Sequence, residues 1–172
     1  MIQNILNEMI KYDTGDVPRI QHFIKVYSFA HMIGEFEGMS GEALQILDIA
    51  SILHDIGIHP AEKKYGNCMG KYQEELGPAE AKKLLAHYNL KDEIVDRVCF
   101  LIGHHHTYEK VDGLDYQILL EADFLVNSFE DNLNKEAVIT FRDKVFKTKT
   151  GINVLNTMFD IMKGWGNVYI YR

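Results

Sequence analysis

Apolar residues recur along most of this chain at steps of three and four, the spacing of a helix that buries one face. His22, Val26, Phe29, Ile33 and Phe36 follow steps of four, three, four and three. Leu47, Ala50 and His54 share a face in the next segment, Ile94, Val98, Leu101 and His105 in a later one, and Leu119, Asp123 and Val126 after that. No sizeable run alternates apolar and polar residues as a half-buried strand does, and only the tail, Val168 to Tyr171, has the composition of a short strand. Cap and breaker residues divide the pattern. Asp16 caps a helix from about 17 to 37, with Pro18 in its first turn and Gly38 near its end, and Ser40 caps a second that reaches Ile56 and stops at Gly57. Pro78 opens a third helix, 79–87. A fourth starts at Asp92 and reaches the histidine run at 104–106, a fifth covers about 115–130, and two more lie near 135–147 and 152–163. The stretch from His59 to Gly77, with three glycines and mixed charges, reads as one long irregular connection and a candidate lid or substrate rim. The expected fold is therefore all-α, one helical-bundle domain over residues 1–172 with no repeat and no linker.

The inward faces carry side chains that hydrocarbon does not tolerate alone. Asp55 lies beside His54 at the end of an apolar helix, and a carboxylate there is ordinarily paired, hydrogen-bonded or bound to a metal. His22, His105 and Asp123 occupy inward positions on three other helices. A single histidine on an apolar stripe is usually a hydrogen-bonded core residue. Three or four histidines and two aspartates converging from separate helices instead suit a divalent transition metal such as Fe, Mn, Ni, Co or Zn. Within the run His104-His105-His106, helical positions about 100° apart cannot all face one ion. That geometry favours His105, lets His104 share the site, and sends His106 to solvent or an outer position. His31, His59 and His87 have weaker claims.

Composition narrows the partners. With 18 basic and 25 acidic residues the formal charge is −7, which argues against a surface for duplex nucleic acid but leaves room for a small phosphorylated ligand held by a local cation or metal. Cys68 and Cys99 have no metal-binding spacing and read as packing thiols in a reducing, cytoplasmic setting. The first ten residues include a glutamate and no basic start, which is wrong for a secretory signal. No apolar run is long enough to cross a bilayer. Nothing in the pattern assigns an oligomeric state, and the aromatic tail from Trp165 is expected to pack on the chain's own core.

Arg19-Ile20-Gln21-His22, Ile52-Leu53-His54-Asp55-Ile56-Gly57 and Glu121-Ala122-Asp123 together resemble the H…HD…D signature of the HD-domain superfamily of metal-dependent phosphohydrolases, over about 19–127. The C-terminal helices, 131–172, would pack on that region. The resemblance implies one metal held by His22, His54, Asp55 and Asp123. In two-metal members the paired aspartate bridges to further histidines, and His104 and His105 resemble these. Gln73 or Glu74 stands where another ligand histidine is expected. Ile58 replaces the lysine of the H-D-x-G-K form and no G-Y-P follows the late histidines, so cyclic-dinucleotide cleavage is not implied. The implied activity is hydrolysis of a phosphomonoester or phosphodiester, nucleotide-like or another small metabolite, by metal-activated water. Asp55, His104 and His105 would act at the reacting centre. Arg19 and Lys25, each about one turn from His22, are the candidate phosphate contacts, and Lys63 and Lys64 are loop cations able to close over substrate. The fold also hosts mixed-valent di-iron oxygenases and admits a non-catalytic nucleotide or metabolite sensor as alternatives.

Overall fold

The computed structural model describes residues 1–161. Among them are nine α-helices and no strand: α1 Ile2–Tyr12, α2 Val17–Phe36, α3 Gly41–Leu53, α4 Ile58–Tyr65, α5 Gly70–Leu85, α6 Asp92–Ile102, α7 Leu114–Glu130, α8 Lys135–Val145 and α9 Lys149–Met158. The all-helical expectation holds over these residues. The expected tail strand at Val168 and the packing of Trp165 lie outside them.

α7 is the central element. Every residue from Tyr116 to Val126 is buried, so this helix is apolar on nearly all sides and must be surrounded. α2 packs on α7 and on α3, and α6 covers α3. Burying Leu119, Leu120 and Leu125 contributes about 1.5–3 kcal/mol apiece, a surplus that offsets the two buried acids of the same helix, Glu121 and Asp123. One of them, Glu121, is fully buried but well supplied with donors. Its carboxylate accepts from Gln117 Nε2 at 2.7 Å, from the backbone amides of Lys147 and Thr148 at 2.7 and 2.9 Å, and from the Thr148 hydroxyl. It thereby ties the start of α9 to the core.

Several boundaries differ from the sequence expectation. Ile2, Ile5, Leu6, Met9 and Ile10 form a helical stripe that seats α1 against α3. The expected irregular stretch from His59 to Gly77 is mostly helix. α4 ends at Gly66, whose left-handed φ of 72° closes the helix, and α5 begins at Gly70. Pro78 lies inside α5 instead of opening a helix. It leaves the Glu74 carbonyl without its usual donor, and its ring is admitted by Gly103, where a Cβ would stand 3.2 Å from Pro78 Cγ. α6 stops at Ile102, so the three histidines occupy turns and not a helix. Asp16 does cap α2, accepting from the Arg19 amide at 3.2 Å.

Candidate metal centre

Four elements bring the inward polar residues to one place. His22 comes from α2, His54 and Asp55 from the turn that ends α3, His105 from the turn after α6, and Asp123 from α7. Each of three imidazoles has its Nδ1–H already bound: His22 donates to Glu130 Oε2, His54 to the Ser51 carbonyl and His105 to the Ile102 carbonyl, all at 2.8 Å. The Nε2 lone pairs are then what the cluster contains.

Those lone pairs crowd together among carboxylates. His22 Nε2 lies 3.2 Å from His54 Nε2 and 3.2 Å from Asp123 Oδ1, and Asp55 Oδ2 lies 3.5 and 3.4 Å from the same two nitrogens. Asp55 turns its other oxygen, Oδ1, to His105 Nε2 at 3.4 Å. Two neutral lone pairs at such a distance repel, so the arrangement calls for a cation there, a proton in the metal-free protein or a metal ion. Donors bound to a first-row metal at about 2.0–2.2 Å are about 3.0–3.6 Å apart, which is the spacing found here. His105 Nε2 is moreover fully buried with no hydrogen-bond partner, an orphan that a metal would satisfy.

The ligand atoms fall into two groups, each within 4.8 Å internally: His22, His54 and Asp123, and Asp55, His105 and His106. Asp55 has an oxygen toward each. Both groups suit a divalent metal by donor type.

In the metal-free protein, protons on the imidazoles balance the carboxylates. Burial disfavours charge on His22 and His54, but the Asp123 and Asp55 carboxylates outweigh it and raise both imidazoles above their usual range, His54 strongly. Burial likewise opposes charge on Asp55 and Asp123, yet the neighbouring histidines hold both carboxyls below theirs. Burial and the adjacent His105 push His106 down to about 4, leaving it neutral and able to donate a lone pair.

Outer contacts orient the cluster. Asn127 Nδ2 donates to Asp123 Oδ1 at 2.9 Å, and Glu130 holds His22 while also pairing with Lys25. Asp123, Asn127 and Glu130 sit at i, i+4 and i+7 of α7, so one helix face supplies a cluster carboxylate and both supports. Glu130 was not picked out from the sequence, although this spacing from Asp123 marks it.

His106 replaces His104 in the cluster. On a continued helix His106 would point away from the site, but α6 ends at Ile102 and the turn after Gly103 brings it inward. His104 donates from Nδ1 to the Phe100 carbonyl at 2.7 Å and stacks on the Phe100 ring. The turn is gripped from outside: Glu74 Oε1 accepts from the His106 amide and the Thr107 hydroxyl at 3.0 Å, and Tyr116 donates to the His104 carbonyl at 2.8 Å. Gln73 donates to the Cys68 carbonyl at 2.7 Å, which aims its Oε1 at His106 Nε2, 3.2 Å away. Gly70 makes room, since a Cβ there would meet the His106 ring at 2.7 Å.

The expected phosphate contacts are otherwise engaged. Arg19 pairs with Glu62 at 2.6 Å and Asp16 at 3.1 Å, and Lys25 pairs with Glu130. Neither cation reaches a phosphate without giving up a carboxylate. Among the weaker candidates, His31 bonds Asp48 at 2.8 Å and His59 bonds the buried Asp13 at 3.0 Å, and neither belongs to the two ligand groups. No helix among the described residues is long and apolar enough to cross a membrane.

The comparisons with known proteins bear on the same residues. The crystal structure of a predicted HD superfamily hydrolase from an uncultured Thermotogales bacterium is similar to this chain, with a TM-score of 0.67 and 26% identity over 92% of this chain and 85% of the other. No curated protein matches. The HD domain family model matches residues 19–142, a span that holds every residue of the cluster and most of the chain. With the signature residues gathered as described, the chain belongs to the HD-domain family.

Proposed function

We propose that this protein is a metal-dependent phosphohydrolase that cleaves a phosphate ester of a nucleotide or another small phosphorylated metabolite. The observation that carries this reading is the convergence of three Nε2 atoms, each ring already engaged at Nδ1, on two carboxylates, one of those nitrogens buried with no partner. His22, His54, Asp55 and Asp123 would hold one divalent metal, and Asp55, His105 and His106 have the donors for a second. A bound metal supplies Lewis acidity toward a phosphoryl oxygen and lowers the pKa of a water to the neutral range. The protein's part is orientation. Glu130, Ser51 and Ile102 fix the tautomers of the three histidines, and Asn127 fixes Asp123. Asp55 keeps 17% side-chain exposure while His54 and His105 have none, so substrate meets the cluster along the edge formed by Asp55 and His106. The two free cysteines fit a cytoplasmic setting.

The test is elemental analysis of tag-free protein purified without chelator, beside the variant Asp55→Ala, followed by phosphate release from a nucleotide panel with the retained metal. Bound metal that the variant loses, together with phosphate release, supports the hydrolase. Absence of metal from the native protein refutes it. A second reading, dioxygen chemistry at two irons, draws support from Asp55 facing both ligand groups, and iron retained without phosphate release would favour it.

A further inference from the structure

A cleft of about 350 Å³ opens beside the cluster, between the segment His106 to Glu109 and the last turn of α8 at Lys144 and Val145. His106 belongs both to this cleft and to the second ligand group, so one imidazole borders the cleft and the candidate metal centre alike. α8 forms its wall for a clear reason. Phe141 stacks on Phe124, the neighbour of Asp123 on α7, with ring centroids 3.6 Å apart, and Tyr108 meets Phe141 edge-on at 5.2 Å. Tyr108 is 43% exposed and lines the cleft, where its hydroxyl is a potential donor to a ligand.

Charge singles out one residue. The cluster brings two carboxylates and no lysine or arginine, and Arg19 and Lys25 are committed to carboxylates. Lys144 lines the cleft, is exposed, and makes no ion pair among the described residues. An anion approaching over His106 therefore meets Lys144 without displacing an acid. Glu109, also on the rim, offers an acceptor suited to a hydroxyl of the ligand's carbon skeleton. A volume near the small end of the range for ligand sites, about 300–1,000 Å³, matches a metabolite carrying one phosphate better than a dinucleotide.

We propose that this cleft is the substrate subsite and that Lys144, assisted by the Tyr108 hydroxyl, is its phosphate-binding cation, selecting small monophosphate esters. The identity of the ligand rests on the hydrolase reading above, so the experiment reads binding separately from turnover. Inorganic phosphate and a nucleoside monophosphate are titrated calorimetrically into metal-loaded wild type, Lys144→Ala, Lys144→Arg and, as a control on another helix, Lys82→Ala. Metal content and KM against kcat are measured on the same samples.

The expected result is phosphate binding weakened about tenfold in Lys144→Ala, the scale of one charge-assisted contact, with recovery in Lys144→Arg and no change in Lys82→Ala. Metal content stays at the wild-type level, and KM rises with kcat nearly constant because the contact serves ground state and transition state alike. Equal phosphate affinity in wild type and Lys144→Ala overturns the proposal, as does a wild type that binds neither probe. Ester hydrolysis with an unchanged KM in Lys144→Ala overturns the subsite and leaves the hydrolase standing. Lysine-dependent phosphate binding without release from any ester supports the subsite and sinks the hydrolase.

Discussion

Replacing Glu130 by alanine removes the acceptor that fixes His22. In the native structure Glu130 Oε2 takes the Nδ1–H of His22 at 2.8 Å, which leaves Nε2 bare and aimed at His54 and Asp123. Without it the ring is free to rotate or to place its proton on Nε2, and either change withdraws a ligand. Carboxylate partners of metal-binding histidines are typically worth about 10–100-fold in metal affinity, or about 1.4–2.7 kcal/mol. Glu130 keeps 29% side-chain exposure, so water substitutes for part of the lost contact and the expected loss sits near the lower bound, about tenfold. Glu130→Gln retains an oxygen acceptor and should lose about two- to threefold, roughly half that free energy. Lys25, left unpaired, is 37% exposed and well solvated, so Lys25→Ala should change affinity by about twofold or less. The assay is competition between the metal-free protein and a fluorescent chelator for zinc or manganese, with thermal melts of the metal-free variants as a check on folding. A Glu130→Ala protein that folds and binds metal like wild type would refute the reasoning, as would a Lys25→Ala protein that reproduces the full loss.

Two other outcomes rest on the same geometry. In metal-free protein, His22 and His54 titrate above 6.5, so their pairing with Asp55 and Asp123 stabilises fully below 6.5 and fades as pH rises through the raised values; the two aspartates titrate below 3.8, and their contribution fades as pH falls through the depressed values. The metal-free protein should thus be most stable between about pH 4 and 6.5, while metal affinity grows with pH because bound protons must leave the imidazoles first. The difference in melting temperature between loaded and metal-free protein is expected to widen from mildly acidic to alkaline pH in calorimetric scans, and a gap that narrows contradicts the assignment. Gly57→Ala would place a Cβ 2.5 Å from the Gln73 carbonyl oxygen and 3.0 Å from the Gly77 amide nitrogen, forcing α5 away from the turn that carries Asp55. About 1–3 kcal/mol of lost stability is expected in urea unfolding, and an unchanged midpoint would show that the contact is soft.

Local physics made much of this protein legible from residue order. The three-and-four spacing of apolar residues identifies α2, α3, α6 and α7, Asp16 marks the start of α2, and the same spacing puts His22 and Asp123 on buried faces, because a helix sorts its side chains by an angle that depends on sequence separation alone; His54 and His105, expected on helices, are buried from the turns that follow α3 and α6. What residue order left undetermined is non-local. Whether Pro78 begins a helix or sits inside one depends on Gly103, 25 positions away in the chain, opening space for its ring. Which histidines of the run turn inward depends on Glu74 and Tyr116 gripping a turn that periodicity had extended as helix. The ties of Arg19 to Glu62 and of Lys25 to Glu130 likewise join segments far apart in the chain. Sequence alone determined most of the buried helix faces, since burial along a helix is a one-dimensional pattern, although Phe36, expected on the inward face of α2, is 76% exposed; only the tertiary structure decided which side chains meet, since hydrogen bonds and donor spacing act over a few ångströms between elements brought together by packing.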